Sequence, residues 1–196
     1  MVGRLIPEFL LTLWVSGLSH LAAQPLPNGA APVTVVLCDK AGIASADRAK
    51  ARVQADHILK SAHVQLRWVE SETACGGPQE EGYFSIIILP ECPKDLPTSP
   101  EAMGRAVLVG NEYPRAYVFL DRVRRFDVVH RGRSNSSNLG VILGHAIAHE
   151  LGHLLRLPHA PSGIMRAQWG REEWVAAVSG GLVFSRPEFK VAKLSN

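Results

Sequence analysis

The sequence predicts an α+β fold, and three observations lead there. The predicted elements run strand, helix, strand, strand, short strand, strand, then helices. One strand candidate, Tyr83–Leu89, is apolar almost throughout and stops at Pro90, as a central strand does. A long apolar stretch from Leu139 onward carries His145, His149 and His153 at one-turn spacing. At 196 residues, with 46% hydrophobic and 20% charged side chains, the chain suits one domain with a proper core. A net charge of +3 is too small to argue for a nucleic-acid partner.

Each element has its own reason. Val33–Cys38 is rich in β-branched residues and reads as the first strand. Ser45–Ala62 reads as a helix because Ala51, Ala55, Ile58, Leu59 and Ala62 fall on one face. Val64–Val69 alternates like a half-buried strand. Gly104–Gly110 is a short strand between glycines, and Arg115–Asp121 is a further strand. The stretch Arg122–Arg133 holds Arg122, Arg124, Arg125, Arg131 and Arg133, and reads as a solvated face and loop. Asn138, Ser137 or Ser136 can cap the apolar helix that follows. A last helix is expected around Arg171–Ser179, before a basic tail. Asn135-Ser136-Ser137 also matches a glycosylation acceptor, although a helix-capping loop is its default reading.

Residues 1–23 have the pattern of a secretory signal. Arg4 gives a positive start, an apolar stretch runs from Phe9 through Leu18, and Leu21-Ala22-Ala23 offers a small-residue cleavage site before Gln24. Glu8 is atypical of such a segment. The apolar stretch is too short for a comfortable membrane span, and no other segment can span a bilayer. The expectation is an exported domain over residues 24–196, secreted or periplasmic. In that setting Cys75 and Cys92 can close a modest loop, leaving Cys38 buried at a strand end; three free thiols is the alternative. Nothing suggests a coiled coil, so a monomer is the default.

His149-Glu150-Leu151-Gly152-His153 reads H-E-x-x-H, with His159 six residues past the second histidine. On a helix, His149 and His153 project from one face and can grip one zinc ion, with Glu150 beside the open position. A third ligand at His159 requires the chain to turn, and Pro158 disfavours helical backbone at Leu157. Three neutral imidazoles with one open position form the catalytic pattern of zinc rather than the closed structural one. In the register His145/His149, Ala146 would stand where the base belongs, so His145 reads as a packed or supporting histidine.

Downstream comes Ser162-Gly163-Ile164-Met165. Over residues 149–165 the sequence resembles the metzincin clan of zinc endopeptidases, which carries H-E-x-x-H-x-x-G-x-x-H and then a tight turn with a methionine beneath the metal. The resemblance implies zinc ligands at His149, His153 and His159, a general base at Glu150, the turn methionine at Met165, and a peptide or protein substrate. It also implies a twisted, mostly parallel sheet over the zinc helix, with Gly104–Gly110 at the sheet edge above the cleft, where an extended peptide can add as a strand. The chain departs from the clan at Arg156, where the clan has glycine. Such a glycine often takes positive φ, at a cost of roughly 1 kcal/mol or more to any other residue. Arg166 and Trp169 follow the turn and can line a pocket.

Three rivals stay open. In a thermolysin-like scheme, Glu172 or Glu173 on the last helix would be the third ligand. A non-catalytic protein could keep zinc for stability or binding. The same zinc chemistry could also act on a non-protein amide, since the motif does not name the substrate.

Overall fold

Strand β1 (Val33–Asp39) buries both of its faces, because helices cover one side of the sheet and a small apolar cluster forms on the other. In this computed structural model the described residues are 32–70, 83–108 and 114–185. The expectations for residues 1–23, Cys75, residues 109–110 and the basic tail lie outside them. After β1 come α1 (Ser45–Ser61), β2 (Leu66–Glu70), β3 (Tyr83–Leu89), β4 (Gly104–Val107), β5 (Arg115–Phe119), α2 (Leu120–Arg131), α3 (Leu139–Leu154) and α4 (Arg171–Val178).

The five strands form one sheet in the order β2-β1-β3-β5-β4. The first three pairings are parallel, and β4 runs antiparallel to β5 at the edge. The fold is therefore α+β with a mostly parallel sheet, as the sequence predicts. Period-two alternation divides the strands' side chains. Val35, Leu37, Ile86, Ile88, Ala116 and Val118 join the main core with the helices. Val36, Cys38 and Ile87 point the other way, against Val69, Tyr83, Leu89 and Tyr117. Each fully buried Ile or Leu of that core contributes roughly 1.5–3 kcal/mol.

Helix α3 runs through the middle of the molecule. All its residues are buried except Val141, His149 and His153, which are partly exposed. It lies close against α1, because Gly140 and Gly144 offer no side chain. A Cβ there would stand 2.8 Å from the Asp47 carbonyl and 2.6 Å from that of Ala51. Of the three expected capping candidates, Ser137 is the one that serves its start. Asn138 makes no side-chain cap; instead Leu139 N–H donates to Ser137 Oγ at 3.2 Å.

Expectations about two segments and the cysteines are corrected. The strand expected through Asp121 ends at Phe119, and the arginine-rich stretch expected as a solvated face and loop is mostly helix α2, with Arg124, Arg125 and Arg133 exposed as expected. Leu120 and Val123 fill its buried face. Asp127 occupies the next core position, accepting from Asn138 N–H at 3.2 Å and Trp174 Nε1 at 3.1 Å. Arg131 lies 3.8 Å from the same carboxylate. A buried carboxylate with those partners is stable where an unpaired one would not be. The expected Cys75–Cys92 bridge is not made. Cys92 is a free thiol whose Sγ lies 3.5 Å from its own loop's Pro93 carbonyl. Cys38, expected to be left over, is buried as expected but is the disulfide-bonded cysteine.

Candidate metal centre

The candidate site begins with how α3 ends. Arg156 N–H donates to the His153 carbonyl and Leu157 N–H to the Gly152 carbonyl, both at 2.9 Å. This pair of bonds is a Schellman closure, whose reversing residue sits in left-handed backbone. That residue is Arg156, at φ 68°. The reversal expected from Pro158 thus occurs two residues earlier, and arginine holds the conformation that glycine would take without strain. It carries His159 back over the helix end.

The three histidines converge. His153 Nε2 lies 3.1 Å from His149 Nε2 and 3.1 Å from His159 Nε2. All three ligand atoms fall within 4.8 Å of one another. His149 Nδ1 faces the Ile164 carbonyl at 2.7 Å, and His153 Nδ1 faces the Leu157 carbonyl at 2.9 Å. A carbonyl only accepts, so each Nδ1 carries the proton and each Nε2 of a neutral ring presents a lone pair. Burial pushes the His149 pKa down to about 4 and lowers that of His153, which keeps both neutral near pH 7. Lone pairs facing each other at this distance repel unless a cation lies between them. Tetrahedral zinc, with Zn–N of about 2.0–2.1 Å, sets ligand nitrogens about 3.3 Å apart. The set therefore fits a metal ion.

Behind the ligands, Met165 is fully buried. A Cβ on Gly152 would lie 2.5 Å from its Sδ, so the methionine packs directly under α3 beside His153. Ala160 N–H donates to the Met165 carbonyl at 2.9 Å, which closes the turn. The Ile164 carbonyl serves two donors, His149 Nδ1 and Trp169 Nε1, the latter at 3.2 Å. The Trp169 and His149 rings meet edge to face, their centroids 5.7 Å apart.

Glu150 projects from α3 towards β4 and is 5% exposed. Burial raises its carboxyl to about 8, opposed by the Ala106 backbone N–H and the charge of Arg105. Its Oε2 has no hydrogen-bond partner among the described residues. Gly104 makes the room: a Cβ there would lie 2.5 Å from Glu150 Oε1. In the sequence, Gly104 opens the edge strand that the resemblance sets above the cleft, but nothing local to it announces a carboxylate 46 residues away.

These groups line a cavity of about 1060 Å³ together with Arg156, Arg166 and Trp169. His145 stays outside the cluster, fully buried, with Nδ1 2.8 Å from the Val141 carbonyl. The acids of the rival ligand scheme are also elsewhere. Glu173 is bonded to Arg166 and to Gly170 N–H at 2.8 Å, and Glu172 is 92% exposed. Chemically, the arrangement offers three nitrogens that could hold a metal ion, a buried carboxyl group and an adjacent sheet edge.

No protein-family model and no curated protein matches the chain.

Proposed function

We propose that the chain is an exported zinc metallopeptidase, with His149, His153 and His159 as ligands and Glu150 as general base. One observation carries this reading: three Nε2 atoms converge in a cleft that also holds a buried carboxylate with an unpartnered oxygen. Zinc bound there would polarise a substrate carbonyl and lower the pKa of a water molecule.

The protein's own groups have distinct tasks. Glu150 accepts the proton of the attacking water at its free Oε2 and hands it to the leaving amine. Backbone carbonyls at Ile164 and Leu157 orient the two helical imidazoles. Strand β4 pairs on one side only, with β5, among the described residues. Its other edge can add an extended peptide as a sixth strand, which suits a protein substrate. The signal-like residues 1–23 support export.

The test is zinc content with peptide hydrolysis for wild type, Glu150→Ala and His159→Ala, each purified from Gln24 onward. One zinc per wild-type chain with cleavage, metal without cleavage in Glu150→Ala, and loss of most metal in His159→Ala are expected. Zinc without hydrolysis of any peptide would move the reading to non-catalytic binding or to a non-protein amide.

A further inference from the structure

We infer that Arg156 recognises a carboxylate on the substrate, so that the cleft prefers an acidic residue close to the cleaved bond. The inference rests on the metallopeptidase reading for the word substrate, and on separate observations for the rest.

The first observation is conformational. Arg156 is the reversing residue of the turn and stands at φ 68°, where glycine is unstrained and other residues are not. A strained position beside a site is a reason to ask what its side chain does. The second is its lack of engagement. Arg156 is exposed, lines the cavity, and its side chain makes no hydrogen bond, ion pair or ring contact among the described residues. The third is how its neighbours differ. Arg105 donates to the Pro97 carbonyl, and Arg166 is held by Glu173 and Glu172. Apart from buried Glu150, Glu101 is the one acidic residue among the described residues of the lining. Among the described residues, Arg156 is therefore the arginine of this wall whose guanidinium has no partner and is left for a visitor.

Its place in the chain limits what it can touch. Arg156 lies three residues from both His153 and His159. Three residues span at most roughly 10 Å, so the guanidinium serves substrate positions within about three residues of the scissile bond. A planar guanidinium grips a carboxylate through two parallel N–H donors, which an ammonium does not do.

The test uses peptides that differ only by Glu or Gln at each of three positions on both sides of the cleaved bond. KM and kcat are read with zinc-loaded wild type, Arg156→Gly and Arg156→Lys. Binding is read separately by fluorescence on zinc-loaded Glu150→Ala, with and without Arg156→Gly, so that no turnover is needed. Arg156→Gly relieves the backbone, so loss of the fold is no obstacle. The expected result is a preference for Glu of at least about fivefold at one position, seen in KM and Kd rather than kcat. Arg156→Gly should erase it and Arg156→Lys should keep part. The same preference in Arg156→Gly, no preference at any position, or no peptide binding overturns the inference. Acidic preference in binding without any wild-type cleavage supports this inference and overturns the peptidase reading. Cleavage without preference does the reverse.

Discussion

Gly104 and Glu150 share one volume. A Cβ at Gly104 would lie 2.5 Å from Glu150 Oε1 and 2.7 Å from its Cδ and Cγ. The glutamate is fixed on a buried helix with little room to retreat, because its neighbours on α3 are core residues. The edge strand thus shapes the position of the carboxylate as much as the helix that carries it.

Gly104→Ala should therefore displace the carboxylate without touching the metal ligands. Misplacing a reacting group by about 1 Å can cost on the order of 100-fold in rate. The expected outcome is a fall in kcat of about that size with zinc content unchanged, read by turnover and metal analysis. A fully active Gly104→Ala protein would show that Glu150 has more freedom than this contact implies.

Met165 should behave as a packing residue under the site. It is fully buried against Gly152. Truncation to alanine leaves a cavity and should cost about 2–5 kcal/mol. Met165→Leu conserves volume and should cost under about 1.5 kcal/mol. Denaturant unfolding at fixed zinc separates the two; equal losses would contradict a packing role.

Arg156→Gly should leave stability unchanged or raise it by up to about 1.6 kcal/mol. Relief of left-handed backbone is worth roughly 1–2 kcal/mol. The added freedom of glycine in the unfolded chain takes back about 0.4–1 kcal/mol. The relief is the larger effect. Thermal unfolding checks it, and a clear drop in Tm would mean that the arginine side chain stabilises the turn by contacts of its own.

His145 should make the fold sensitive to mild acid. Burial lowers its pKa to about 4 from 6.5, so the folded chain resists a proton that the unfolded chain binds. Stability is fully present above the unfolded value and falls as pH drops from 6.5 towards 4. One group of this kind removes about 2 kcal/mol by pH 5. His145→Leu should lose that part of the pH dependence. Urea midpoints of both proteins at pH 7.5 and 5, in equal zinc, isolate it, because the effects of the three ligand histidines are common to both. Identical pH dependence in the two proteins would refute the assignment.

Much of this was legible in the sequence for a physical reason. His149, Glu150 and His153 are placed by helical spacing alone, and Ala51, Ala55, Ile58 and Leu59 by the same periodicity. His159 was legible through its spacing, although its reversal comes from Arg156 rather than Pro158. Helix α2 was hidden by its arginines, even though Leu120, Val123 and Asp127 recur at helical intervals. Asp127 occupied a core position that a hydrophobic pattern does not count. The Gly104–Glu150 contact and the bonding state of Cys38 depend on chain segments brought together from afar, and no local pattern encodes them.

The donors of His149 and His153 are answered by the main-chain carbonyls of Ile164 and Leu157, not by side chains. Every amino acid brings that oxygen with it. Point mutations at Ile164 and Leu157 can alter packing, but they cannot delete the group that fixes each imidazole. Sequences descending from this one can therefore drift at those two positions while the ring tautomers stay set, so long as the backbone path survives. Inheritance of the site is in that respect a matter of loop shape more than of residue identity.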